Sequence, residues 1–328
     1  MSKTISRNNI LPFINIAKFI SLCLVILSHS TDSSLMRWSS MFFIPIFFIC
    51  AGYTTTGNIN LRKKAKKLLV PYFILNFIFL LGFLIITKKV SWTSVIGIFY
   101  SRYSLFPLSF HHEENVFFLN IMNMTSWFLT AMFTTFVAYK FMMSLKNSVS
   151  ILLIALIYLI ITYFSTFLPI LLPWSIDTCF LFAFFMFCGH LMRKFNLLKN
   201  IYSLLIGLII YIPLLFLYIP VNESVRVMGG GNFLEYLAIV IGGITGSIIL
   251  LYCCKMMEFI YVPIIHYLSR NSLIIFVVQI PFLVIIEKIG YLLEFNTTII
   301  AFAQLIVALI GGCIVSEIYN FFFKKFKL

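Results

Sequence analysis

The stretch ILPFINIAKFISLCLVILSHST, residues 10–31, decides the class of this protein. Only Lys18 and His29 interrupt its apolar and small residues with groups that carry charge near neutral pH. Because about 20 mostly apolar residues are enough for a helix to cross a bilayer, the stretch predicts a transmembrane helix. Lys3 and Arg7 precede it as in a signal peptide, but no small-residue cleavage site follows, so we expect the helix to be retained.

The composition of the whole chain supports a membrane protein. Of its 328 residues, 62% are hydrophobic and 10% are charged, whereas soluble domains carry about 25% charged residues. The net charge of +14 fits cytoplasmic loops of a membrane protein, and no nucleic-acid-binding motif accompanies it. The seven cysteines lie mostly within apolar runs without CxxC spacing, which predicts small core residues and no disulfide framework.

Hydropathy predicts an all-α integral membrane protein of about ten transmembrane helices, forming a single domain over residues 1–328. No inverted or tandem repeat is visible, which disfavours a secondary transporter. The predicted spans are residues 10–31, 38–56, 68–87, 126–144, 149–168, 178–196, 199–219, 231–253, 271–290 and 297–322.

The basic residues predict the orientation. With ten spans, one set of loops carries seventeen of the 24 Lys and Arg residues, and the opposite set carries six; Lys18 lies within a span. Since cytoplasmic loops collect Lys and Arg, both termini are expected in the cytoplasm. The six outer residues are Arg37, Lys88, Lys89, Arg102, Arg226 and Lys288.

Lys18, His29 and Asp32 form the first candidate site. Lys18 and His29 are eleven residues apart, so on a helix they share a face about 16 Å apart along the axis. Asp32 follows three residues later, where its carboxylate is expected to orient the imidazole of a general base. The alternatives are that Lys18 extends to the membrane interface and that His29 is a solvated boundary residue.

The long outer loop 88–125 contains Trp92 and the sequence His111-His112-Glu113-Glu114. Adjacent residues point in different directions, and zinc ligands normally need wider spacing. We therefore expect a solvated loop or a substrate rim and predict no metal site.

Five segments, in chain order, carry a family resemblance: INIAKFISLCLVILSHS (14–30), FFIPIFFICAGY (42–53), LRKKAKKLLVPYF (61–73), SWFLTAMF (126–133) and LSRNSLIIFVVQIPFL (268–283). They resemble the acyltransferase 3 superfamily of bacterial membrane acyltransferases. The first resembles the opening helix of that family, with Lys18 at its basic position and His29 at its histidine. The second resembles the second helix of the family, with Pro45, Gly52 and Tyr53 at matching positions.

The resemblance implies O-acylation, usually acetylation, of a sugar in a surface or lipid-linked glycan, in the cytoplasmic membrane of a bacterium. Acetyl-CoA would be the cytoplasmic donor, and the acceptor would lie outside. The partners are then the bilayer, acyl-CoA and a glycan, with no nucleic acid. Expected catalytic residues are His29 and Asp32. Donor binding is expected from Lys18 and from Arg62, Lys63 and Lys66 of the basic segment 62–67, and substrate binding from Trp127, Gln279 and Tyr53.

Three positions depart from the family pattern. Phe43 and Gln279 stand where many members have a histidine, and Asn15 replaces an acidic residue found in some relatives. A non-catalytic relative is therefore one alternative to an enzyme. A transporter or flippase for a lipid-linked sugar, with Lys18 and Glu235 lining its path, is the other.

Overall fold

The computed structural model describes residues 11–88, 92–106, 123–218, 233–259 and 262–326. These ranges contain eleven α-helices and no β-strand. The helices are α1 (Pro12–Ser28), α2 (Pro45–Thr54), α3 (Leu61–Thr87), α4 (Trp92–Tyr100), α5 (Asn123–Met143), α6 (Ser148–Ser165), α7 (Ile176–Lys194), α8 (Ile201–Tyr218), α9 (Phe233–Met256), α10 (Pro263–Leu292) and α11 (Thr297–Phe326).

Every predicted span overlaps a helix, and α4 adds a short helix within the loop 88–125. Within the described ranges, six helices are long and apolar enough to cross a membrane, namely α3, α6, α7, α9, α10 and α11. Helices α1, α2 and α8 are apolar but shorter. The fold is thus all-helical with several helices of membrane length, while ten crossings and the side of the termini stay predictions.

The surface of α11 shows why water is a poor solvent for this fold. Ile306, Ile310 and Ile314 follow one another at helical spacing, and each is more than half exposed, at 57%, 58% and 57%. Water-facing surfaces rarely carry such a continuous apolar stripe, whereas lipid chains accommodate it at no cost. This face of α11 is therefore suited to lipid.

Helix α2 is shorter than predicted and lies in the centre of the bundle. Its ten residues rise only about 15 Å, half the thickness of the hydrocarbon core. The extent predicted for this span, 38–56, is wrong because Ser33–Ser39 form a separate 3₁₀ helix. This interrupted helical segment is tolerated because protein rather than lipid surrounds α2. Ile46, Phe48 and Cys50 of α2 are fully buried.

Helices α2 and α7 touch through their backbones. A β-carbon on Gly52 would lie 1.8 Å from the carbonyl oxygen of Met186, and one on Gly189 would lie 2.0 Å from that of Ile49. Only glycine permits this approach, which is the usual way in which membrane helices pack closely. The contact fixes α2 in the middle of the protein.

Helix α5 is the polar centre of the bundle. Thr125, Ser126, Thr130 and Thr135 are fully buried, and Thr125 donates a hydrogen bond to the carbonyl oxygen of Val277 in α10 at 3.0 Å. These side chains explain why α5 is less apolar than its neighbours, since helices, not lipid, surround it.

Candidate active site

The imidazole of His29 is fixed by the helix that carries it. Helix α1 ends at Ser28, and Nδ1 of His29 lies 2.8 Å from the carbonyl oxygen of Val25. A carbonyl only accepts, so in neutral His29 the proton sits on Nδ1 and the lone pair on Nε2. Among the described residues, Nε2 has no hydrogen-bond partner. His29 therefore has the tautomer of a general base with an available nitrogen.

Gln304 of α11 anchors the segment that follows His29. Its Oε1 accepts hydrogen bonds from the backbone N–H and the hydroxyl of Thr31, at 3.0 and 2.7 Å. Its Nε2 donates to the carbonyl oxygen of Leu283 in α10 at 2.9 Å. Sequence reasoning missed this residue, although a glutamine in an apolar span was a signal.

Asp32 does not take the role expected from its spacing. Its carboxylate accepts hydrogen bonds from the hydroxyls of Ser34, at 2.5 Å, and Thr298, at 2.9 Å. These two bonds lower the pKa of Asp32, that of Ser34 contributing most. The expectation that Asp32 orients His29 is corrected here, because the Val25 carbonyl holds the imidazole and Asp32 joins the end of α1 to α11. Any catalytic role of Asp32 stays a prediction.

Lys18 belongs to a lysine group, which we define as Lys18 of α1 with Lys63, Lys64 and Lys67 of α3. The charges of Lys18, Lys63 and Lys67 act on Lys64, and those of Lys18 and Lys63 act on Lys67. Lys64 also places its ammonium 3.9 Å from the centre of the Phe136 ring in α5. No described carboxylate forms an ion pair with any of the four.

The lysine group differs from the donor site expected from sequence. Helical residues advance about 100° each, so Lys63, Lys64 and Lys67 share one side of α3. Arg62 and Lys66 lie on another side of the helix and are exposed. Of the expected donor residues on α3, only Lys63 belongs to the lysine group. The charge of Lys18 acts on Lys64 and Lys67, two further members of the basic segment 62–67.

Tyr53 lies at the same end of the bundle as the start of α1. Its ring packs edge-on against Phe13, with centroids 5.6 Å apart, and its carbonyl oxygen accepts a hydrogen bond from Arg193 at 3.3 Å. The contact with Phe13 places Tyr53 on the side of Lys18 rather than that of His29. Its expected role in substrate binding is untested.

Trp127 lies in a fixed protein environment near the start of α5. Its ring stacks on Phe182 with centroids 6.5 Å apart, and the guanidinium of Arg102 lies 5.9 Å from the ring centre. Arg102 forms a buried ion pair with Asp177 and also donates to the carbonyl oxygen of Leu172 at 3.1 Å. Sequence reasoning counted Arg102 only as a loop charge and missed this pair. Sugar stacking on Trp127 stays a prediction.

Gln279 is wholly buried in α10, and neither its Nε2 nor its Oε1 has a hydrogen-bond partner within the described structure. Phe43 contributes only packing, against both hydrophobic clusters of the bundle. Asn15 donates to Nδ1 of His266 at 2.8 Å and accepts from Ser269 at 3.2 Å, so it ties α1 to α10.

The described residues contain no cluster of three or more possible metal ligands. The histidine and glutamate residues 111–114 lie outside the described residues.

Comparison with known proteins identifies a family. A family model of an acyltransferase domain, acyltransferase 3, matches residues 11–318, nearly the entire chain. No curated protein and no solved structure matches the chain significantly.

Proposed function

Because the chain belongs to the acyltransferase 3 family, we propose that it transfers an acyl group from acyl-CoA to a hydroxyl of a glycan. The observation that carries this proposal is the arrangement along α1. Lys18 of α1 belongs to the lysine group, and His29, with its available Nε2, directly follows the last residue of α1. A group of cations and a base thus lie about 16 Å apart along one helix.

The lysine group supports a polyanionic donor. Four ammonium groups without a described ion-pair partner repel one another, and a ligand with several phosphates relieves that repulsion. CoA carries such phosphates at one end and its thioester at the other, joined by a long flexible arm. The donor therefore enters at the lysine end, with its thioester directed along α1 towards His29.

His29 supports the chemistry at the other end. Its Nε2 takes the proton of the acceptor hydroxyl as the hydroxyl oxygen bonds to the thioester carbon. The carbon–sulfur bond then breaks, and the imidazolium returns the proton to the departing sulfur. The products are an ester and CoA, so atoms and charge balance without a metal. The hydrogen bond to Val25 keeps the base correctly oriented throughout.

The family resemblance favours acetyl as the acyl group, a surface or lipid-linked glycan as the acceptor and a bacterial cytoplasmic membrane as the location. The distribution of basic residues favours ten crossings with both termini in the cytoplasm. The lysine end then faces the cytoplasm, where acetyl-CoA is made, and the His29 end faces outward. Transfer along α1 explains how a cytoplasmic donor modifies an external sugar.

The experiment compares glycan acetylation in cells with the wild-type gene, without it, and with His29→Ala or His190→Ala. His190 is a half-exposed histidine of α7 and serves as the matched control. We expect ester-linked acetyl groups with the wild type and the control, and none in the other two strains. Acetylation at equal levels in all four would contradict the proposed function.

A further inference from the structure

Helices α1 and α10 run side by side in a constant register. Near their starts, Asn15 bonds to His266 and Ser269, residues 251 and 254 positions later. At the other end, Gln304 joins Thr31 to the carbonyl oxygen of Leu283, residues separated by 252 positions. Because the offset is nearly the same at both ends, the helices are parallel and any residue of α10 can be assigned a level on α1.

This register places Gln279 at nearly the same level along the bundle as the proposed base. With an offset of about 252 positions, Gln279 lies level with Leu27, two residues before His29. At 1.5 Å per residue the two differ by about 3 Å along the helix axis. Gln279 lies about 14 Å beyond the level of Lys18, so its level falls between those of Lys18 and His29.

The amide of Gln279 differs from that of Gln304, the other buried glutamine of the described residues. Gln304 is 1% exposed, and both its amide oxygen and its amide nitrogen form hydrogen bonds. The packing of α11 on α1 and α10 can therefore provide partners for a buried glutamine. Gln279 is 0% exposed and bonded through neither. Buried polar groups without partners are rare and unfavourable, so this one needs a reason.

The surroundings of Gln279 limit what can satisfy it. Ile275, Phe276 and Leu283, one turn away on the same helix, are buried and apolar. A ligand that pairs with Nε2–H in these surroundings presents a hydrogen-bond acceptor within an otherwise apolar group. The carbonyl of a short acyl thioester has this character.

We propose that Gln279 binds the acyl group of the donor, with its Nε2–H donating to the thioester carbonyl oxygen. This inference rests on the proposed function. As the acceptor oxygen attacks, the carbonyl oxygen becomes negative, and the hydrogen bond from Gln279 strengthens. The charge returns to the carbonyl when the carbon–sulfur bond breaks, so Gln279 donates throughout and transfers no proton. His29 acts on the acceptor, and Gln279 acts on the donor.

The test compares Gln279→Met, which keeps the size of the side chain and removes the amide, with Gln279→His, which keeps an N–H donor. For Gln279→Met we expect a higher melting temperature, because an unpaired buried amide is lost, together with a kcat about 10²–10³-fold lower. KM for acetyl-CoA should change little, as expected for an interaction made in the transition state. Gln279→His should retain most of the rate.

A spectroscopic measurement reports on the same bond without turnover. With ¹³C-labelled acetyl-CoA bound, the carbonyl stretch should lie at lower frequency in the wild type than in Gln279→Met. A Gln279→Met enzyme with the wild-type kcat and carbonyl frequency would overturn the inference. Equal losses of rate in Gln279→Met and Gln279→His, with lower melting temperatures in both, would also overturn it, because they would show that Gln279 acts only by packing. If the wild type transfers no acyl group from any acyl-CoA, the proposed function itself fails, and this inference fails with it.

Discussion

Nδ1 of His29 lies 2.8 Å from the carbonyl oxygen of Val25, one turn earlier in α1. This bond replaces the carboxylate that often orients a catalytic histidine. It arises because α1 ends at Ser28, which leaves the Val25 carbonyl without a backbone N–H partner from a further turn. The end of the helix thus provides both the position of the base and its tautomer.

Asp32 should therefore matter less to catalysis than His29. The change Asp32→Asn keeps an oxygen that accepts from Ser34 or Thr298, so we expect a kcat within about threefold of the wild type, well short of the loss expected for a general base. The measurement is the rate of acetyl transfer at saturating donor. A loss as large as that of His29→Ala would restore Asp32 as the orienting group.

The pKa of Asp32 predicts a small effect of acid on the contact between the end of α1 and α11. The bonds from Ser34 and Thr298 lower this pKa below its usual value of 3.8. The carboxylate therefore stabilises the fold above that pH, and the stabilisation is lost as the pH falls through the lowered value. Thermal unfolding at pH 7 and pH 3 should differ less in Asp32→Asn than in the wild type. An identical pH dependence in the two proteins would show that the Asp32 carboxylate does not stabilise the fold.

The two sides of α3 should differ in their effect on donor binding. Replacing Lys63, Lys64 and Lys67 by glutamine removes the lysine group from α3, and we expect KM for acetyl-CoA to rise at least about tenfold, through lost contacts to charged phosphates. The matched control is Arg62→Gln with Lys66→Gln, on the other side of the helix, for which KM should change little. Similar effects of the two sets would mean that the side of α3 on which a charge lies does not matter for donor binding.

The contact between α2 and α7 predicts a large effect of one methyl group. In Gly52→Ala the new β-carbon meets the carbonyl oxygen of Met186, so the helices must separate, and we expect a loss of about 1–3 kcal/mol or more in stability. Gly82→Ala in α3 is the control, because a β-carbon there has nothing within 4 Å. Thermal unfolding of the purified proteins distinguishes them. Equal stability of Gly52→Ala and the wild type would refute the close packing.

The predicted orientation is tested by cysteine labelling in intact cells, on a background without the native cysteines. A cysteine in place of Glu113 or Glu223 should react with an impermeant reagent, and one in place of Lys64 should be protected. Labelling at position 64 before the cells are opened would reverse the orientation and place the lysine group outside.

Hydropathy was enough to predict the all-helical fold, because each long apolar run must satisfy its backbone hydrogen bonds internally. It failed for α2, since a helix buried on all sides by protein need not have the length of a bilayer. It also missed α4, whose nine residues are too few to be recognised as a span.

The site was predictable where helical periodicity applies and not beyond. Lys18 and His29 share a face because α1 is continuous between them. Asp32 follows the end of α1 with φ −119° and ψ 68°, so the three-residue spacing no longer sets its direction. Gln304 and Leu283 are distant in sequence from His29, and only the packing of α10 and α11 on α1 joins them to Thr31, two residues after His29.

The central claim, that the available Nε2 of His29 is the base of an acyl transfer, is tested most directly by single-turnover kinetics of the purified protein. Radiolabelled acetyl-CoA and a glycan acceptor are mixed with the wild type or His29→Ala, and ester formation is followed as a function of pH. We predict a wild-type rate that rises with pH through one deprotonation, and a His29→Ala rate about 10²–10⁴-fold lower without that rise, in a protein that remains folded. A His29→Ala protein with the wild-type rate and pH profile would contradict the account.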